Sequence, residues 1–146
     1  MTEREFRIRR VAWEQAKDQL MTVRYAVFVI EQGVPMALEQ DAHDATASHV
    51  LAEDLQGKPL GTARLLPDGH IGRLAVMKEW RGRGIGHALM EALIAQAKER
   101  GFTEVILHAQ LQALDFYRRF GFRISSEAFL EAGIMHSEMR RSLQDD

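Results

Sequence analysis

The segment Arg81-Gly82-Arg83-Gly84-Ile85-Gly86 sets two guanidinium groups among three glycines. It opens an apolar stripe, Ile85, Ala88, Leu89, Ala92 and Ala95, that steps in threes and fours as a helix does. A helix starting at Gly84 exposes its first backbone N–H groups, which with the helix dipole form a site for an anion. Side chains at 82, 84 and 86 would block a bulky diphosphate from the main chain, and Arg81 and Arg83 add positive charge around it. Glycines also serve a tight strand-to-helix turn for purely structural reasons, so the loop alone leaves both uses open. Its spacing is neither that of G-x-G-x-x-G nor that of a P-loop.

A second set of residues suits proton transfer. His70 follows the turn Pro67-Asp68-Gly69, and His49, His108 and His136 fall on other expected strands. Imidazole, with an unperturbed pKa of about 6.5, takes up protons near neutral pH. Tyr117 lies among Phe116, Phe120 and Phe122, where a packed aromatic and a working hydroxyl are both open. The histidines show no paired i, i+4 spacing, so no metal is expected. Glu39, Asp41 and Asp44 face two readings, with Arg24, Arg64 and Arg73 as partners. They form an acidic wall that attracts an amine, or a salt-bridge network that holds a loop to the sheet.

The elements that must position these groups follow from periodicity. Residues 5 to 11 read as a short edge strand, and Trp13, Ala16, Leu20, Val23, Val27 and Ile30 predict an amphipathic helix from Trp13 to about Glu31. A long loop with one helical turn is expected over 32 to 47. An antiparallel meander follows, with strands at His49 to Leu55, Leu60 to Leu66 and His70 to Met77. The glycine loop then opens a helix that ends at Arg100-Gly101. Val105-Ile106-Leu107 predicts a buried central strand, Leu111 to Phe120 a helix with a turn at Gly121, and Ile134 to Arg140 a last strand.

At 146 residues and 46% hydrophobic content, one domain over 1–146 is expected. A net charge of −2 predicts no basic face for nucleic acid, and the absence of cysteine removes disulfides, thiolate metal sites and a thiol nucleophile. The charged N-terminal run has no apolar leader, and no apolar stretch approaches ~18 residues. A soluble, cytoplasmic protein with no membrane partner is the expectation.

Two segments together carry a resemblance to a known family. Arg81, Gly84 and Gly86 match the signature of the Gcn5-related N-acetyltransferases: Gln or Arg, two residues, Gly, one residue, then Gly or Ala. That family's second signature, a small residue shortly before Phe-Tyr and then Gly-Phe, resembles Ala113, Phe116-Tyr117 and Gly121-Phe122. The distance between the two also fits. The resemblance implies that the backbone of Leu74-Ala75-Val76 pairs with the pantetheine arm of CoA, as an added strand would. A backbone N–H there would stabilise the oxyanion. It further implies that Arg81, Gly82, Arg83, Gly84, Ile85 and Gly86 hold the pyrophosphate, that Phe116 and Gln110 lie along the arm, and that Tyr117 protonates the leaving thiolate. Gln110 replaces the family's usual Asn. His70, eleven residues before Arg81, occupies the place where several members carry a carboxylate base.

Arg24, Phe28, Glu39, Asp41 and Asp44, followed by Arg64-Leu65-Leu66-Pro67, also resemble the acyl-homoserine-lactone synthases, a related branch that usually lacks the full cradle. Gly133 to Met139 resembles the Gly-Ile-x-His-x-x-Met ending of the small bacterial acetyltransferases of the ElaA and YjcF type. The resemblance thus implies an α/β (α+β) fold with a mixed, mostly antiparallel sheet of six or seven strands flanked by helices, splayed near residues 74 and 107. The implied activity is direct transfer of an acetyl group from acetyl-CoA to a primary amine, on a small molecule or a peptide. Arg24, Phe28, Glu39, Asp41, Arg64 and His136 are the candidate acceptor residues. A lactone synthase and a noncatalytic CoA-binding sensor are the alternatives, and monomer and homodimer both stay open.

Overall fold

Residues 5–39 and 41–144 are described by the computed structural model. Residues 1–4 of the charged N-terminal run and Gln40 of the expected loop lie outside them. Four strands form the expected meander: β1 (Phe6–Val11), β2 (Ser48–Asp54), β3 (Pro59–Leu65) and β4 (His70–Val76). Each is antiparallel to the next. Helix α3 (Ile85–Glu99) then crosses the sheet and leads into β5 (Glu104–Gln110), which runs parallel to β4. The chain finishes with β6 (Arg123–Ile124), β7 (Phe129–Glu131) and β8 (Ile134–Ser142). Strand order is β1-β2-β3-β4-β5-β8-β6, with β7 paired to β8. The sheet is therefore mixed and mostly antiparallel, as expected, with eight strands among the described residues rather than six or seven. The two extra are β6 and β7, too short to give a period in the sequence.

Side chains of the central strands alternate between two helical layers. On one face Val50 and Ala52 of β2 join Leu60 and Ala63 of β3 against Ile85, Ala88, Leu89 and Leu93 of α3. On the other, Leu51 packs on Trp13, Ala16 and Leu20 of helix α1 (Trp13–Arg24). Each such fully buried leucine contributes about 1.5–3 kcal/mol of transfer free energy.

The helix expected to Glu31 keeps its α geometry only to Arg24, and Tyr25–Glu31 continue as a π-helix. Bonding from i to i+5 widens the turn, so the stripe loses its phase and Ile30, its last expected member, is 65% exposed. Val27 stays buried against Ala75 of β4, with Phe28 packed alongside. The expected loop holds helix α2 (Met36–Glu39) and a 3-10 turn at Ala42–Ala45, closed by a capping box in which Asp41 and Asp44 serve each other's backbone. The helix expected over 111–120 is shorter, a 3-10 turn (Leu111–Ala113) and helix α4 (Leu114–Arg118).

Strands β7 and β8 form a hairpin around Ala132 and Gly133, both with positive φ (51° and 78°). This is the sign pattern of a type I′ turn, which Asn-Gly fits and Ala strains. Replacing Ala132 with Asn should therefore stabilise the protein by about 1 kcal/mol, a rise in Tm of roughly 3 °C. An unchanged or lowered thermal midpoint would show that the turn stores no such strain.

Candidate active site

Strands β4 and β5 pair in register only at His70↔Ile106 and Ile71↔Leu107. Beyond that point they diverge, and a cleft of about 1090 Å³ opens between them. Part of the divergence is built into β4 itself. Between Thr62↔Ala75 and Arg64↔Gly72 the strand carries an extra residue, and Arg73 in this bulge has φ 53°. Leu74, Ala75 and Val76 line the cleft and have no ladder partner in β5, so one edge of β4 remains available to an extended ligand.

At one end of the cleft lies the N-terminus of α3. Gly84 is its N-cap, with φ 86°, and no side chain caps the helix. The first helical bond runs from Ala88 N–H to Gly84 carbonyl, which leaves the N–H groups of Ile85, Gly86 and His87 without intrahelical acceptors. A Cβ at Gly82 or Gly84 would project into open space. The cradle thus fits an anion. The two arginines do something else. Arg81 bonds the Val76 carbonyl at 3.0 Å and both oxygens of Glu31, at 2.6 and 2.7 Å. Arg83 pairs with Glu5 and lies over the Trp80 ring. In this structure both act as struts of the loop, with their charges already matched or stacked.

Glu31 and Gln32 end the π-helix, and each spans to an opposite lip of the cleft. Glu31 meets Arg81 on the α3 side, and the Gln110 amide at the end of β5 donates to Gln32 at 2.9 Å. Phe116 and Tyr117 of α4 line the same cleft and pack edge to face, 5.1 Å apart. The Tyr117 hydroxyl makes no hydrogen bond to any described residue, and burial pushes its pKa up to about 12. It stays protonated at neutral pH and is free to donate.

The acids and arginines divide between the two sequence readings. Arg24, fully buried, bonds Glu39 and both oxygens of Asp44, the latter at 2.8 and 3.0 Å. Arg64 bonds Asp41 twice and Asp44 once, and Arg73 reaches Asp41 and the Glu39 carbonyl. Arg24 and Asp44 belong wholly to this network, which ties the 36–45 segment to β3 and β4. Glu39, Asp41, Arg64 and Arg73 also line the cleft, together with Phe28. Asp41's carboxyl is held at about 2, chiefly by its hydrogen bonds to Arg64 and against the opposing effect of burial. Burial works to raise Asp44, but Arg24 and Arg64 outweigh it and keep it below the carboxylate range.

The histidines fall in two places. His49 is buried on Trp13, its Nε2–H donating to the Asp44 carbonyl at 2.9 Å, and burial lowers its pKa. It does not line the cleft. His70, His108 and His136 do. His70 Nδ1 lies 3.0 Å from Asp68 without hydrogen-bond alignment, and its ring meets His108 edge to face at 5.8 Å. Glu131, at the end of β7, accepts from His108 Nδ1 at 2.9 Å. Sequence reading missed Glu131 because its strand is three residues long. It missed Glu31 and Gln32 because an α-helix would have aimed them elsewhere. Among the described residues no group of three or more His, Asp or Glu is arranged to hold a metal ion, and no helix is long and apolar enough to cross a membrane.

The parted strands, the uncapped helix at their mouth and the phenol on the wall define an acyltransferase cleft. The acetyltransferase (GNAT) domain family matches residues 11–143, and the chain belongs to it. It is 40% identical over 132 residues to the uncharacterized N-acetyltransferase YjcF of Bacillus subtilis, covering 88% of this chain and 93% of that one. Among solved structures, Escherichia coli ElaA superposes with a TM-score of 0.84 at 28% identity, over 93% of this chain and 99% of ElaA. An acyl-CoA N-acyltransferase from Pseudomonas aeruginosa superposes with a TM-score of 0.80 at 32% identity, over 94% and 98% of the two chains. Members of the family use acyl-CoA donors and act on amine acceptors.

The ion network makes an acid-stability prediction. Asp41 is depressed from 3.8 to about 2, so its contribution is present above pH 3.8 and lost as pH falls toward 2. Asp41→Asn should be less stable than wild type at pH 6, and the gap in denaturant midpoint should close between about pH 4 and pH 2. A gap independent of pH would mean that Asp41 stabilises through packing alone.

Proposed function

We propose that the protein moves an acetyl group from acetyl-CoA to a primary amine by direct attack within a ternary complex. The observation that carries this reading is the uncapped start of α3 beside the free edge of β4, with the Tyr117 hydroxyl on the same cleft. Bound acetyl-CoA supplies an activated acyl thioester. The N–H groups of Ile85, Gly86 and His87 would hold its pyrophosphate, and Leu74 to Val76 would pair with the pantetheine arm. A β4 N–H beside the bulge would bind the oxyanion, an interaction worth about 3 kcal/mol where such donors have been removed.

Tyr117 then donates its proton to the departing thiolate. No nucleophilic side chain is needed, because holding amine and thioester together supplies most of the advantage of a covalent route. The acceptor enters from the opposite side, between Phe28, the arginine-paired carboxylates of Glu39 and Asp41, and the β7–β8 hairpin, where Glu131 offers an ammonium a negative partner. His70 stands at the foot of β4 on the same cleft, beside the amine's path.

Two substitutions test this. Gly84→Asp puts a carboxylate into the anion cradle and should abolish acetyl-CoA binding by calorimetry while the circular dichroism spectrum is retained. Normal affinity would refute the cradle. Tyr117→Phe should lower kcat by about 10²-fold or more with little change in acetyl-CoA affinity, and an unchanged rate would remove its role as acid.

A further inference from the structure

The hairpin of β7 and β8 turns a second group of polar side chains toward the cleft. Leu130 and Met135, opposite each other in register, point outward and are 68% and 42% exposed. Their neighbours Glu131, Ile134 and His136 therefore face the cleft, which they line. The His136 side chain is only 9% exposed, stacks on Phe129 and sits opposite Gln110 in the β5–β8 register.

The ring's tautomer follows from its partner. Nδ1 of His136 lies 2.7 Å from the Ile134 carbonyl oxygen, which can only accept. Nδ1 must carry the proton, so the neutral ring keeps its lone pair on Nε2. Among the described residues, the charged group that Nε2 meets at short range is Glu131, its Oε2 at 3.9 Å. That distance is too long for a hydrogen bond and close enough to attract an imidazolium. The other Glu131 oxygen is held by His108 Nδ1 at 2.9 Å, so the carboxylate is fixed between two imidazoles.

We propose that His136 is the base that deprotonates the acceptor's ammonium, with Glu131, held in place by His108, as its positioning residue. This rests on the amine-transferase reading above. Nε2 takes one proton from the ammonium, and the freed nitrogen lone pair forms the C–N bond as the C–S bond breaks. The second proton shed by nitrogen replaces the one Tyr117 gives to the thiolate. The first passes from His136 Nε2 to solvent as the product departs, so one proton is released per turnover. The other titratable groups near the ring are His70 on β4, edge-on to His108, and Glu138 on β8, which pairs with His108 in register. The turn Leu111–Ala113 contributes none.

The test begins with thiol release by wild type across alkylamines, which are cationic at neutral pH, and arylamines or acylhydrazides, which are neutral there. His136→Gln should lose about 10²-fold or more in kcat/KM with the alkylamine at neutral pH, and the loss should shrink as pH rises and free amine accumulates. With the neutral acceptor it should retain its rate, because no proton need be taken before attack. Equal loss with both acceptors, or no loss with either, would overturn the assignment. Glu131→Gln should show the same acceptor-dependent pattern to a smaller degree, with rescue by Glu131→Asp. ¹⁵N spectra of wild type supply a readout free of activity: a neutral His136 protonated on Nε2 would overturn the proposal. Wild type that binds acetyl-CoA but releases thiol to no amine would sink the transferase reading itself, whatever the spectra show.

Discussion

The cleft depends on one constraint: β4 cannot follow β5 beyond Ile71. The extra residue at the bulge and the left-handed backbone of Arg73 turn the strand aside, and a strained conformation persists only where its surroundings hold it. Here the holding is electrostatic. Arg73 is tied to Glu39 and Asp41, which are tied to Arg64 and Arg24, and Asp44 closes the set. Val27 and Phe28 press on Ala75 from the same side. The parting of the sheet is thus held by the 36–45 segment, whose Glu39 and Asp41 also line the cleft.

Burying this many charges is costly unless each is paired, and removing one partner from such a set typically costs about 3–5 kcal/mol. Arg24 satisfies two carboxylates and a main-chain carbonyl from a position without solvent. A hydrophobic replacement of the whole set could match its stability. It could not so readily specify where the 36–45 segment sits, since charged hydrogen bonds fix direction as apolar contacts do not.

Much of this was legible in the sequence, and the misses have physical causes. The glycine loop, the meander and the Phe-Tyr helix all combine strong local patterns with fixed separations. The acids and arginines could be paired by type but not assigned, because Asp41 and Arg64 meet across 23 residues of chain and only the fold brings them together. The π-helix was invisible, since the apolar steps of Val23 and Val27 suit an α-helix equally well, and only the exposed Ile30 betrays the change of pitch. His136 was visible as a histidine. What distinguishes it, a proton fixed by Ile134 and a carboxylate from a three-residue strand, arises only in three dimensions.

The π-helix has a consequence for how such a protein can diversify. Its last residues, Glu31 and the adjacent Gln32, reach both lips of the cleft, while Phe28 one turn earlier lines it. Under the proposed reading, contacts to donor and acceptor both fall on this single short stretch of chain. A lineage drifting toward a new amine through this stretch would also disturb its hold on CoA, and selection would see the two traits as one. In the β7–β8 hairpin only the outward-facing positions, Leu130 and Met135, are free to change without touching the cleft.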